Sequence, residues 1–150
     1  RSKNEWYLEL IQKMDVGDIL PGVVNFLNAC KVNNLKIGLG SASKNARIIL
    51  DQTNLTSYFD TIVDGTNVTN AKPDPEVFLT GARQLGVEPS QTVVFEDAAK
   101  GVEAANRGGF FSVGIGDPAV LGHANEVIPN LAAWDVTNLQ EAFSKSLISK

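Results

Sequence analysis

The sequence predicts an α/β fold, a largely parallel sheet covered by helices on both faces. Short apolar runs of strand length, at 35–39, 61–63, 92–95 and 110–115, alternate with longer segments of helical character. Each run ends in polar or glycine residues, and strands alternating with helices at this spacing indicate right-handed βαβ units and a parallel sheet.

Trp6, Tyr7, Leu10, Ile11 and Met14 fall at helical spacing, so an amphipathic helix is expected over 5–14. Turn residues follow, and Pro21 sits where a second helix could start, running to about 32 before Asn33 and Asn34. The strand at 35–39 leads into Gly40-Ser41-Ala42-Ser43, and 45–52 reads as helix. The strand at 61–63 ends in Asp64-Gly65, and the helix at 75–85 is stopped by Gly86. The strand at 92–95 precedes a helix at 98–106, stopped by Gly108-Gly109. A strand at 110–115, a short one at 126–128 and a closing helix at 138–147 complete the chain. There is no repeat, low-complexity tract or long linker.

The length of 150 residues suits one domain, large enough to bury roughly 70% of its unfolded surface. A net charge of -4, with lysines and arginines scattered, argues against a nucleic-acid partner. No apolar stretch approaches membrane-spanning length, so no membrane partner is expected, and a cytoplasmic setting fits. Cys30 is the single cysteine, which excludes an internal disulfide framework; its apolar neighbours mark it as core filler. His123 is the single histidine, placed in a loop, which speaks against a serine–histidine triad or a His-rich zinc site.

In parallel sheets ligands bind beyond the carboxyl ends of the strands. The residues just after each strand are therefore the candidates. After the first come Ser41, Ala42, Ser43, Lys44 and Asn45, whose hydroxyls, amides and lysine could cradle a phosphate at a helix start, or serve only as a helix cap. After the second comes Asn70-Ala71-Lys72-Pro73-Asp74-Pro75-Glu76. Pro73 restricts the backbone of Lys72, which could set a positive charge on a transferring phosphoryl group or simply face solvent. After the third come Glu96 and Asp97, adjacent carboxylates that a divalent cation would relieve, with magnesium favoured by oxygen ligands; Asp97 could equally cap the next helix. A hydroxyl cradle, a lysine and an acidic pair thus occupy the same sheet edge.

With these motifs in register, the sequence resembles the haloacid dehalogenase (HAD) superfamily. Ser41 looks like its second motif, Lys72-Pro73-Asp74-Pro75 its third, and Glu96-Asp97 with Gly101 and Ala104-Ala105 its fourth. Ser41-Ala42-Ser43-Lys44-Asn45, Lys3-Asn4 and Leu20-Pro21-Gly22 are similar to stretches of the β-phosphoglucomutases within it. The resemblance implies a three-layer Rossmann-like core domain over 16–150, preceded at 1–15 by the return helix and hinge of a cap domain. It implies that Ser41, the Ala42 amide and Lys72 hold the transferring phosphoryl group, and that Ser43, Lys44 and Asn45 hold the second phosphate of a sugar bisphosphate. Glu96 and Asp97 would bind Mg2+, and Lys3 would reach the substrate from the cap. The implied reaction interconverts β-glucose 1-phosphate and glucose 6-phosphate; a related phosphatase activity on small phosphomonoesters, or a non-catalytic phosphate- or partner-binding module, are the alternatives.

One departure stands out. The family needs an Asp-x-Asp pair, nucleophile and general acid/base, after a central strand, and no Asp-x-Asp occurs in these 150 residues. The expectation is therefore a C-terminal fragment with a gap in its sheet, inactive alone: a truncated or proteolysed piece, or a chain whose first part is carried elsewhere as a separate fragment.

Overall fold

The structure, a computed structural model, describes residues 5–8, 23–40, 48, 51, 56–63, 68–129, 137–138 and 141. Its strands are β1 Glu5–Leu8, β2 Ile37–Gly40, β3 Thr61–Val63, β4 Thr92–Glu96, β5 Phe111–Ile115 and β6 Glu126–Ile128. They form one sheet in the order β3-β2-β1-β4-β5-β6, every neighbouring pair parallel. The helices are α1 Val23–Val32, α2 Glu76–Leu85, α3 Ala99–Arg107 and a single turn, α4 Pro118–Leu121.

All residues of β4 and β5 are buried, as strands covered on both faces must be. Val94 packs with Val77, Phe78 and Ala82 of α2 and with Ala104 and Ala105 of α3. The next residue, Phe95, points to the opposite face and meets Phe26 of α1 edge-on, ring centroids 5.2 Å apart. The sheet therefore separates α1 from α2 and α3, which is the three-layer α/β architecture. Helix α2 ends as its sequence suggests, at Gly86 in the left-handed conformation (φ 75), whose N–H bonds to the Arg83 carbonyl.

Phe26, Leu27 and Cys30 form the buried stripe of α1. Cys30 is 1% exposed, and burial pushes its thiol up to about 12, consistent with a core filler. Iodoacetamide at pH 8 is accordingly expected to leave Cys30 unmodified in the folded chain and to alkylate it only in denaturant. Equal rates in the two conditions would contradict this placement.

The N-terminal segment departs from the sequence reading. Residues 5–8 form strand β1, not the first turn of a helix, and pair with both β2 and β4 through Trp6↔Ile37 and Trp6↔Val93. The sheet consequently has no gap between β2 and β4. Two facing rows of strand N–H and C=O groups form a strong template for any extended segment, and Trp and Tyr suit a strand. Helical spacing spread over 5–14 cannot weigh that long-range pairing. Residues 9–15 lie outside the described residues, as do most of the helices expected at 45–52 and 138–147, of which 48, 51, 138 and 141 are helical. Helix α4 was not anticipated, although Asp117-Pro118 announces it: the Asp117 carboxylate accepts the Ala119 N–H at 2.9 Å, with proline at the first helical position.

Candidate active site

Because the strands are parallel, β2, β3 and β4 end on one edge, at Gly40, Val63 and Glu96. Lys72 lies in the segment between β3 and α2, Glu96 is the last residue of β4, and Asp97 is next to it. The structure brings Lys72 and Glu96 into contact: Nζ stands 3.3 Å from Oε2, with the side chains 9% and 1% exposed. The Phe78 ring lies beside the same ammonium, 5.4 Å from Nζ to centroid. The Lys72–Pro73 peptide is cis. Asp74, read as a possible helix start, accepts the Glu76 N–H at 2.9 Å.

The other oxygen of Glu96, Oε1, accepts the backbone N–H groups of Asp97 and Ala98, each at 3.0 Å. Helix α3 approaches so closely that a Cβ at Gly101 would fall 2.0 Å from the Glu96 carboxyl carbon, so only glycine leaves room for this carboxylate. Burial pushes Glu96 up to about 7; Lys72 opposes the rise, and Asp97 adds to it through a hydrogen bond and like charge. An acid raised in the folded state favours folding fully below its unfolded value and loses that contribution as pH rises through the folded value. In metal-free buffer, the folded chain should therefore lose stability relative to Glu96→Gln between about pH 4.5 and 7. Urea titrations at pH 5 and pH 8 check this; a difference independent of pH would contradict it.

Glu96 and Asp97 offer only hard oxygen donors, and Asp97 is partly exposed at the sheet edge. That donor set fits magnesium, which commonly takes one or two carboxylates and completes its shell with water and phosphate oxygens. Among the described residues no group of three or more His, Cys, Asp and Glu side chains is gathered. Ser41, Ala42, Ser43, Lys44, Asn45 and Lys3 lie outside the described residues. His123 is exposed, its Nε2 3.1 Å from the Ala99 carbonyl oxygen.

One contributor escaped the sequence reading. Glu76, at the start of α2, accepts the N–H groups of Thr69 and Asn70 at 3.0 and 2.8 Å, closing the segment that carries Lys72. Those bonds hold its carboxyl below the usual range. A glutamate in a first helical turn is common for dipole reasons alone, and nothing local distinguishes this one.

The model of the haloacid dehalogenase-like hydrolases matches residues 4–109. The chain belongs to this family. A β-phosphoglucomutase of Bacillus subtilis is 43% identical over 143 residues, covering 95% of this chain and 63% of the relative. A fructose-1-phosphate phosphatase of Escherichia coli is 41% identical over 81 residues, 54% of this chain and 43% of that protein. The crystal structure of a β-phosphoglucomutase from Clostridium difficile superposes with a TM-score of 0.85 at 38% identity, covering 91% of this chain and 61% of that one. The chain thus spans less than two thirds of the length of each of these HAD relatives.

Proposed function

We propose that these residues serve a magnesium-dependent sugar phosphomutase that interconverts β-glucose 1-phosphate and glucose 6-phosphate. The observation that carries this reading is the buried Lys72–Glu96 pair beside Asp97 at the carboxyl edge of the sheet. Lys72 is held where a point charge can neutralise a phosphoryl group in transfer, a reaction in which positioning and charge supply most of the catalysis. Ser41 and the Ala42 amide, next in sequence after β2, share that load in this reading. Glu96 and Asp97 would hold the magnesium, which when bound supplies further charge neutralisation at the phosphate. Ser43, Lys44 and Asn45 take the second phosphate of glucose 1,6-bisphosphate, and Lys3 reaches the sugar. A cytoplasmic setting suits such a substrate, and among the described residues no helix is long and apolar enough to cross a membrane.

The 150 residues hold no Asp-x-Asp, so on their own they should transfer no phosphoryl group. In this reading phosphoryl transfer requires an Asp-x-Asp segment beside these residues.

The second reading is a phosphatase on sugar phosphates, favoured by the likeness to the fructose-1-phosphate phosphatase. Ser41, Lys72, Glu96 and Asp97 serve either reaction. Only residues 43–45 and Lys3 separate them, since a bisphosphate needs a second anion site. In the intact gene product, Lys44→Ala should lower mutase turnover by roughly a hundredfold. If hydrolysis of β-glucose 1-phosphate is the only activity and survives Lys44→Ala unchanged, the phosphatase reading holds instead.

A further inference from the structure

We propose that Glu76 is the positioning residue for Lys72, fastening the backbone that presents the ammonium to the site. The segment between β3 and α2 has no strand or helix of its own over 68–75 to fix it. Before Lys72, the N–H groups of Thr69 and Asn70 both end on the Glu76 carboxylate, at 3.0 and 2.8 Å. After it, the Asp74 N–H bonds to the Ala71 carbonyl at 3.0 Å, and the Asp74 side chain accepts the Glu76 N–H at 2.9 Å. Thr69 and Asn70 before Lys72 and Asp74 after it are thus all bonded to Glu76, at the start of α2, and the Asp74–Ala71 turn bond spans Lys72 itself. The same helix supplies Phe78, whose ring stands beside the ammonium. A lysine side chain has many rotamers, so the position of its charge depends on how firmly its backbone is held. One helix start thus sets both the root of the side chain and a surface along its path.

A carboxylate in a first turn also favours the helix dipole, and that bland role makes a different prediction. The dipole responds to charge, whereas fastening the loop needs an acceptor oxygen. Glu76→Gln removes the charge and keeps an oxygen; Glu76→Ala removes both.

The use of Lys72 in catalysis rests on the sugar-phosphate reading above, so the test is chemical labelling, which needs no turnover. The folded 150-residue chain is treated with acetic anhydride, and modification of Lys72 is followed by mass spectrometry relative to the exposed Lys100. Iodoacetamide reactivity of the buried Cys30, in parallel, reports global opening. The expected result for Glu76→Ala is a rise in Lys72 labelling of about tenfold, as for a local opening that has lost its anchoring bonds, with Cys30 still protected. Glu76→Gln should raise it less than about threefold, since one anchoring bond can persist. Lys72 labelling that does not change in Glu76→Ala, that rises equally in both variants, or that rises only in step with Cys30 would overturn the assignment.

Discussion

Replacing Lys72 by alanine is expected to lower phosphoryl transfer by the intact gene product by about 10²–10³, the usual loss when one fixed positive or donor group is withdrawn from a developing oxyanion. The same substitution should destabilise the 150-residue chain, for a separate reason. Glu96 is 1% exposed, and Lys72 is its cationic partner at 3.3 Å. Removing one member of a buried pair strands the other, at a cost of about 3–5 kcal/mol. The stranded carboxylate has an escape, because it can take up a proton. Lys72 holds the Glu96 pKa down against burial, so its loss raises that pKa further. The cost should therefore be large at pH 8 and small at pH 5, where the protonated acid needs no cation. Urea unfolding of Lys72→Ala at the two pH values checks the pair independently of any activity. An equal loss at both would mean that packing of the lysine stem, not its charge, supports the fold.

Gly101→Ala should also be costly, although alanine is the better helix former by about 1 kcal/mol. The added methyl would lie 2.0 Å from the Glu96 carboxyl carbon and 2.2 Å from its Cγ. Moving the carboxylate aside breaks its bonds to the Asp97 and Ala98 N–H groups and its contact with Lys72. We expect a net loss of roughly 2–3 kcal/mol, overpacking and lost charged hydrogen bonds together outweighing the helical gain. The sign should reverse in the background of Glu96→Ala, where the clash is gone and the helix preference remains. A double-mutant cycle by urea unfolding measures this coupling. Additive losses would show that α3 does not close on Glu96 as described.

The parallel sheet was legible because the centres of β4 and β5 are mostly apolar and the strands stand between segments of helical spacing, and the edge rule then pointed to Lys72, Glu96 and Asp97. The contact between Lys72 and Glu96 was not legible. It joins residues 24 apart through a turn whose path no local pattern encodes. Glu76 was hidden for a similar reason: its carboxylate reaches backward to N–H groups six and seven residues earlier, outside any helical repeat. Gly101 could be recognised from its motif, but the reason for it, a carboxylate pressed against the helix, exists only in three dimensions. The segment at 5–8 went the other way, its local helical spacing overridden by pairing with β2 and β4.

The most direct test of the central claim is the 31P spectrum of β-glucose 1-phosphate incubated with the intact gene product, magnesium and a trace of glucose 1,6-bisphosphate. The phosphomutase reading predicts that the glucose 6-phosphate resonance grows as the substrate resonance falls, with inorganic phosphate forming far more slowly. Inorganic phosphate as the sole product, or an unchanged spectrum from folded protein containing an Asp-x-Asp segment, would contradict it.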